Sequence, residues 1–110
     1  MYDLTELREM SDNDEEFVQE MIHAFLKNNK DYLNTLNEGL AAKDWKVVKF
    51  NAHKIKPSIL LFKITSLKQV ILDINEFAGN EINLDKVPNL VEKLNEGLSL
   101  VFNKISEEII

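Results

Sequence analysis

Cysteine is absent from this chain of 110 residues, and glycine and proline are scarce, with three and two residues. The lack of cysteine excludes disulfides, thiolate zinc sites and a cysteine nucleophile. The few turn-forming residues leave no flexible linker and little with which to build a many-turned β fold. A chain of this length can bury a core that needs no disulfide or metal. We therefore predict a single domain over residues 1–110.

Long apolar runs are also missing. No stretch approaches the ~20 residues that span a bilayer, and the N-terminus is acidic where a secretion signal would be basic. We predict a soluble, cytoplasmic protein without membrane contact. A formal charge of −6 argues against general nucleic-acid affinity. Residues 43–63 nevertheless hold six lysines against one aspartate, a net charge of +5 that leaves −11 for the remainder. This basic segment surrounds His53.

Apolar residues recur at helical spacing through most of the chain. The pattern predicts an all-α fold, an antiparallel four-helix bundle with a short extra N-terminal helix. The run ILLFKI at 59–64 would fit a buried strand, but a helical stripe continues across it. A short helix is predicted at Leu4 and Leu7. A long helix follows and runs to about residue 42; Ser11, Asp12, Asn13 and Asp14 are its candidate N-caps, and Asn13 and Glu16 have the spacing of a capping box. The third helix is predicted from Asp44 to Phe62, the fourth over Ser66–Ala78 with a stop at Gly79 and Asn80, and the last over Asp85–Ile109 with Pro88 in its first turn.

The long helix has a predicted apolar stripe, and a pentapeptide near its end is repeated in the last helix. Its apolar stripe is predicted to consist of Phe17, Met21, Phe25, Tyr32, Leu36 and Leu40. The pentapeptide LNEGL occurs at 36–40 and again at 94–98. Because the flanking residues do not match, we favour coincidence over a duplicated hairpin, and we expect each glycine to let two helices approach closely.

His53 lies on the solvent-facing side of its predicted helix. On a helical wheel of residues 45–62, one face gathers Val48, Ile55, Ile59 and Phe62, with Ala52 at its edge. The opposite face carries His53 together with Lys46, Lys49, Phe50, Lys56, Pro57 and Leu60. A neutral imidazole is a nucleophile. An apolar rim with a basic surround is typical of a docking surface for an acidic partner.

Pro57 breaks a local rule beside this histidine. Its ring removes the N–H that would bond to the His53 carbonyl, at a typical cost of about 3 kcal/mol. Such violations concentrate at functional positions, although a kink needed for packing would give the same sequence.

Several kinds of chemistry can be set aside. Ser58 is predicted to face the core, away from His53, so a hydrolytic triad does not form. His23 has no paired spacing with another ligand, which argues against a metal site and predicts a structural role for it. Without a glycine-rich phosphate loop, we expect neither ATP binding nor self-phosphorylation. Covalent capture of a group delivered by another protein remains. Phosphoryl transfer would fit, with His53 as nucleophile and Lys56, one turn on, stabilising the phosphoryl charge.

The segment Ala52-His53-Lys54-Ile55-Lys56-Pro57-Ser58 resembles the signature of histidine-containing phosphotransfer (HPt) domains, in which a lysine follows the phospho-accepting histidine by three residues. The helix order resembles the family's layout over nearly the whole chain. This resemblance implies a four-helix bundle that relays phosphoryl groups between aspartates of response-regulator receiver domains, supplied by a hybrid sensor histidine kinase, through phosphohistidine at His53. It also implies that the chain has no cofactor of its own, since Mg²⁺ belongs to the receiver.

The resemblance further implies that Asn75, an amide from the following helix, lies beside the histidine, where the family often has the longer glutamine. Pro57 stands where the family commonly has glycine, and its larger ring bears on receiver choice and approach distance. We predict Phe50, Pro57 and Leu60 as docking contacts, Lys46 and Lys49 as steering residues, and a monomeric chain.

Two alternatives stay open. A helical interaction module would keep the same docking face without carrying phosphate. A nucleic-acid-binding domain would use the lysine ridge, and it is the less favoured of the two because the rest of the chain is acidic.

Overall fold

The computed structural model describes residues 1–109, and within this range it is built from α-helices without any strand. The predicted all-α bundle is confirmed. Consecutive long helices are joined by short connections and pack side by side, and the last also packs on the first. Position 110 of the predicted domain lies outside the described residues. The helices are α1 (Thr5–Met10), α2 (Glu15–Ala41), α3 (Trp45–Leu61), α4 (Thr65–Asn80) and α5 (Val87–Glu108), with a 3₁₀ turn at Leu84–Lys86.

The structure selects one of the four candidate caps at the start of α2. Asp14, not Asn13, is the N-cap, and its carboxylate accepts hydrogen bonds from the backbone N–H groups of Glu16 at 3.1 Å and Phe17 at 3.3 Å. Asn13 cannot serve as the cap because its backbone is left-handed, with φ 60°. At α3 the predicted cap is confirmed, since the Asp44 carboxylate accepts from the Val47 N–H at 3.3 Å.

The end of α4 differs from the prediction. The helix continues through Gly79 and Asn80 and turns left-handed at Glu81, with φ 52°, so the predicted stop is two residues early. The Ile82 N–H then donates to the Phe77 carbonyl at 3.0 Å, as in a Schellman motif, which satisfies a carbonyl of the last turn. Pro88 lies in the first turn of α5, as predicted.

The buried face of α2 matches the predicted stripe except at its first residue, since Met21, Phe25, Tyr32, Leu36 and Leu40 all belong to the core or pack against it. Val18 and Ile22 are fully buried, whereas Phe17 is 43% exposed, so its place in the stripe is wrong. Phe25 is buried and stacks on Phe62 at the end of α3, with ring centroids 4.1 Å apart. It also meets Phe102 of α5 edge to face at 5.6 Å. This aromatic cluster links three helices at one end of the core.

Two glycines set the spacing of the bundle, as expected. A Cβ at Gly39 would stand 2.7 Å from Val47 Cγ1, and a Cβ at Gly97 would stand 2.6 Å from Leu67 Cδ2. Because real Cβ atoms do not approach so closely, only glycine allows these contacts between α2 and α3 and between α4 and α5. The first of them fixes the start of α3 on α2 and so orients the face that carries His53.

No helix within residues 1–109 is long and apolar enough to cross a membrane.

Candidate functional site

His53 is exposed on the outer face of α3. The opposite face of the same helix is the one predicted, since Val48, Ala52, Ile55 and Ile59 are each at most 1% exposed. Burial of that face holds the helix in one rotation, and the imidazole therefore points to solvent, where a second protein can reach it.

Apolar side chains border the histidine on this face. Phe50 is 59% exposed and Leu60 is 40% exposed, although both are large and apolar. Pro57 is also exposed, one turn after His53. The structure thus places all three predicted docking residues on the accessible side of α3, in an arrangement that suits contact with a partner.

The lysines of this face differ in their surroundings. Lys46 and Lys49 are exposed, and Lys56 is half-buried one turn beyond His53. The Lys49 side chain leans towards α4, where its Cε would lie 3.2 Å from a Cβ built at Gly79. Its aliphatic part therefore covers the glycine, while the ammonium group remains at the surface.

Asn75 is half-buried on α4, which packs against α3. The Lys49–Gly79 contact gives an approximate register for the antiparallel pair α3 and α4. His53 is four residues after Lys49, and Asn75 is four residues before Gly79. In antiparallel helices both steps run about 6 Å in the same direction, so His53 and Asn75 are at similar heights along the helix pair. The Asn75 side-chain amide donates to the Ile71 carbonyl at 3.0 Å, which orients it along its own helix.

The helix α3 runs through Pro57 without ending. The missing N–H at position 57 removes the hydrogen bond that the His53 carbonyl would otherwise accept. Both His53 and Pro57 are exposed, so the loss lies outside the core.

Lys54 makes contacts that the sequence analysis missed. Its ammonium nitrogen lies 4.2 Å from the centroid of the Phe50 ring and 5.2 Å from that of Tyr32 on α2. Both distances are within the range of a cation–π interaction. The spacing of Phe50 and Lys54, four residues apart on one helix, was a usable signal, but the part of Tyr32 depends on how α2 and α3 pack.

A groove of about 630 Å³ runs between α2 and α3 beside these residues. Tyr32 and Thr35 line it from α2, and Lys46, Phe50 and Lys54 line it from α3. It adjoins the side of α3 that carries His53 and is accessible from solvent.

Ser58 and His23, which the sequence analysis excluded from the site, have different surroundings. Ser58 faces α2, where its hydroxyl accepts a hydrogen bond from the Asn29 amide at 3.1 Å, which confirms that it points away from His53. His23 is exposed on α2 and adds nothing to the core, so the structural role predicted for it is wrong. Within residues 1–109, no three His, Asp or Glu side chains cluster closely enough to hold a metal ion.

These features define a helical bundle that presents one histidine on a basic, apolar-rimmed helix face. The Hpt domain family matches residues 20–104, which is most of the chain, and the chain therefore belongs to that family. Hpt domains carry out histidine phosphotransfer in phosphorelays, where they work with receiver domains and kinases.

The fold is similar to a solved structure, that of histidine-containing phosphotransfer protein B (HptB) from Pseudomonas aeruginosa PAO1. The TM-score is 0.85 at 20% sequence identity, and the alignment covers 97% of this chain and 92% of HptB. Comparison with curated protein sequences gives no match.

Proposed function

We propose that this chain accepts a phosphoryl group on His53 from the aspartate of one receiver domain and delivers it to the aspartate of another, in a multistep two-component phosphorelay. The observation that carries the proposal is the exposure of His53 on α3 in a chain of the Hpt family, with Lys56 one turn further along the same helix. The donor chain in such a relay is a hybrid sensor histidine kinase, and the chain works as a monomer in the cytoplasm.

The transfer requires little from the carrier. One imidazole nitrogen of His53 uses its lone pair to form a P–N bond, and the P–O bond to the receiver aspartate breaks. The carboxylate leaves with that electron pair, and the other imidazole nitrogen keeps its proton. The ammonium group of Lys56 stabilises the negative charge on the phosphoryl oxygens during the transfer. The reverse sequence with a second receiver returns His53 to its free form, and Mg²⁺ is held by the receiver.

The other residues of the face have supporting roles in the proposal. Asn75, level with His53, donates a second amide N–H to a phosphoryl oxygen. Lys46 and Lys49 steer an acidic receiver towards α3, since charge complementarity raises association rates. Phe50, Pro57 and Leu60 then contact it through their apolar surfaces.

Intact-mass spectrometry tests the proposal directly. The chain and its His53→Gln variant are incubated with phosphoramidate and, separately, with receiver domains charged by acetyl phosphate. We expect the wild type to gain one acid-labile phosphoryl group and the variant to gain none.

If the wild type binds receivers but gains no phosphoryl group from any donor, the protein is instead an interaction module with the same docking face. In that case the His53→Gln variant retains its affinity for the receiver.

A further inference from the structure

We infer that Lys54 is a positioning residue for partner binding: by lying against the rings of Phe50 and Tyr32, its ammonium group fixes Phe50 beside His53 and shapes the groove between α2 and α3. This inference rests on the proposed function, because it assigns the receiver as the partner whose binding depends on Lys54. The inference gives Lys54 and Lys56 different roles, although both lie within three residues of the histidine.

The contacts of Lys54 set it apart from the other lysines of the face. Its nitrogen is 4.2 Å from the Phe50 ring centroid and 5.2 Å from that of Tyr32. Tyr32 is half-buried on α2 and packs against the core, whereas Phe50 is 59% exposed. A cation attracted by both rings therefore restrains the more exposed one.

The direction of Lys54 on α3 also argues against a role at the phosphoryl group. Successive residues of a helix turn by about 100°, so Lys54 points towards α2, while Lys56 lies about 60° from His53 on the other side and one turn further along. The ammonium of Lys54 is already engaged with two rings on the α2 side. We assign stabilisation of the phosphoryl charge to Lys56 and organisation of the apolar contact to Lys54.

The consequence concerns partner affinity. Phe50 is a predicted docking residue, and it also lines the groove of about 630 Å³ between α2 and α3. A side chain that is held in its bound position before the partner arrives loses less conformational entropy on binding. Loss of the Lys54 contact is thus expected to weaken receiver binding while the phosphoryl transfer itself continues.

The test measures transfer rates as a function of receiver concentration. The receiver domain is the one, among those charged with acetyl phosphate, that transfers fastest to the wild-type chain. Lys54→Met keeps the length of the side chain and removes its charge, and Lys54→Arg restores a cation. Lys30→Met is the matched control, because Lys30 contacts the Phe102 ring at 5.7 Å on the α2–α5 side and its loss removes the same charge and the same kind of contact.

For Lys54→Met we expect KM to rise about two- to tenfold, the range that corresponds to one cation–π contact. We expect kcat to stay within about twofold of the wild type, since the lost interaction acts on binding. Lys54→Arg should have a KM close to the wild-type value, and the control Lys30→Met should have the wild-type KM. The inference is overturned if Lys54→Met raises KM no more than Lys30→Met does, or if it lowers kcat with KM unchanged.

Proton NMR tests the contact of Lys54 with the two rings independently of the transfer rates. The ε-CH₂ protons of Lys54 should resonate upfield of those of the other lysines because of the two ring currents, and Phe50→Leu should reduce this shift. A Lys54 resonance at the ordinary position overturns the inference. If the wild-type chain gains no phosphoryl group from any receiver or from phosphoramidate, the proposed function has failed, and the resonance then reports on the ring contact alone.

Discussion

The side-chain amides of Asn37 and Asn95 hydrogen-bond each other in both directions, at 2.9 and 3.0 Å, across α2 and α5. Each asparagine is the second residue of an LNEGL pentapeptide. The Asn37 amide also donates to the Leu33 carbonyl at 2.8 Å, which fixes its orientation. The two copies of the pentapeptide therefore meet face to face, and the pair joins the first and last long helices of the bundle.

The two asparagines should be energetically coupled. The loss of unfolding free energy in the double variant should be smaller than the sum of the losses in the two single variants. Asn95→Leu leaves the half-buried Asn37 amide without its partner, and we expect the free energy of unfolding to fall by about 1–3 kcal/mol. In the double variant with Asn37→Leu neither amide is left unpaired, so part of the loss should be recovered. Urea unfolding of the wild type, both single variants and the double variant measures this coupling. Strict additivity of the two single effects would contradict it.

The glycines should respond differently to alanine. Gly39→Ala places a methyl group 2.7 Å from Val47 Cγ1 and 3.3 Å from the Val48 backbone nitrogen, neither of which can move freely. We expect a loss of about 1–3 kcal/mol in unfolding free energy, despite the better helix propensity of alanine. Gly79→Ala is the control, because there the methyl group meets only the flexible end of Lys49. It should stabilise the protein by up to about 1 kcal/mol, and thermal unfolding would reveal the opposite signs.

Pro57→Ala should stabilise the protein. Alanine restores the N–H that bonds to the His53 carbonyl and removes the clash of the proline ring, so we expect a gain of about 1–3 kcal/mol in unfolding free energy. Pro88→Ala provides the comparison, since a proline in the first turn of α5 displaces no hydrogen bond, and its change should stay within about 0.5 kcal/mol. Urea unfolding gives both values. Equal effects of the two substitutions would show that the His53 carbonyl is not the source of the cost.

Lys56→Met should slow phosphoryl gain. If the ammonium of Lys56 stabilises the phosphoryl oxygens, its removal should reduce the rate of labelling by phosphoramidate about tenfold or more. The rate is followed by intact-mass spectrometry. Lys68→Met removes a charge from an exposed position of α4 and serves as the control. Similar rates for the two variants would mean that total charge, rather than Lys56, determines labelling.

Asp3 should contribute to stability at neutral pH and lose this contribution in acid. The Thr5 hydroxyl donates to its carboxylate at 2.5 Å and the Thr5 backbone N–H donates at 2.8 Å, and these bonds lower the pKa of Asp3 from 3.8. A lowered folded-state pKa stabilises the protein above the unfolded-state pKa, and this contribution is lost as the pH falls through the folded-state value. Unfolding free energy measured from neutral pH down to about pH 2 should therefore fall less steeply for Asp3→Asn, which keeps the acceptor without the charge. Parallel curves would contradict this.

The sequence was sufficient to predict the bundle and the orientation of α3. Periodicity places Val48, Ile55 and Ile59 on one face, and burial of that face alone determines that His53 is exposed. The N-cap of α3 was predictable because Asp44 has no competing cap beside it. Before α2, four neighbouring residues can all cap a helix, and the choice of Asp14 depends on the left-handed backbone at Asp12 and Asn13.

The missed features depend on contacts between helices. Helical spacing limits a stripe only to within one position, so Phe17 could not be distinguished from Val18 before the rotation of α2 in the bundle was known. The contact between Lys54 and Tyr32 joins two helices, and no periodicity within either of them predicts it. The partnership of Asn37 and Asn95 is of the same kind.

The residues proposed for the chemistry and the lysines that a partner would meet lie on the same helix, α3. The contact of Lys49 with Gly79 makes the position of one of these lysines depend on α4 as well. The position of a charge that an approaching partner meets is determined partly from α4, at a residue with no side chain of its own. A larger residue at position 79 would push that lysine outward without changing any charge or any residue of the histidine helix. A substitution at position 79 could therefore alter partner preference from α4, without a change at His53 or Lys56, the residues proposed for the chemistry.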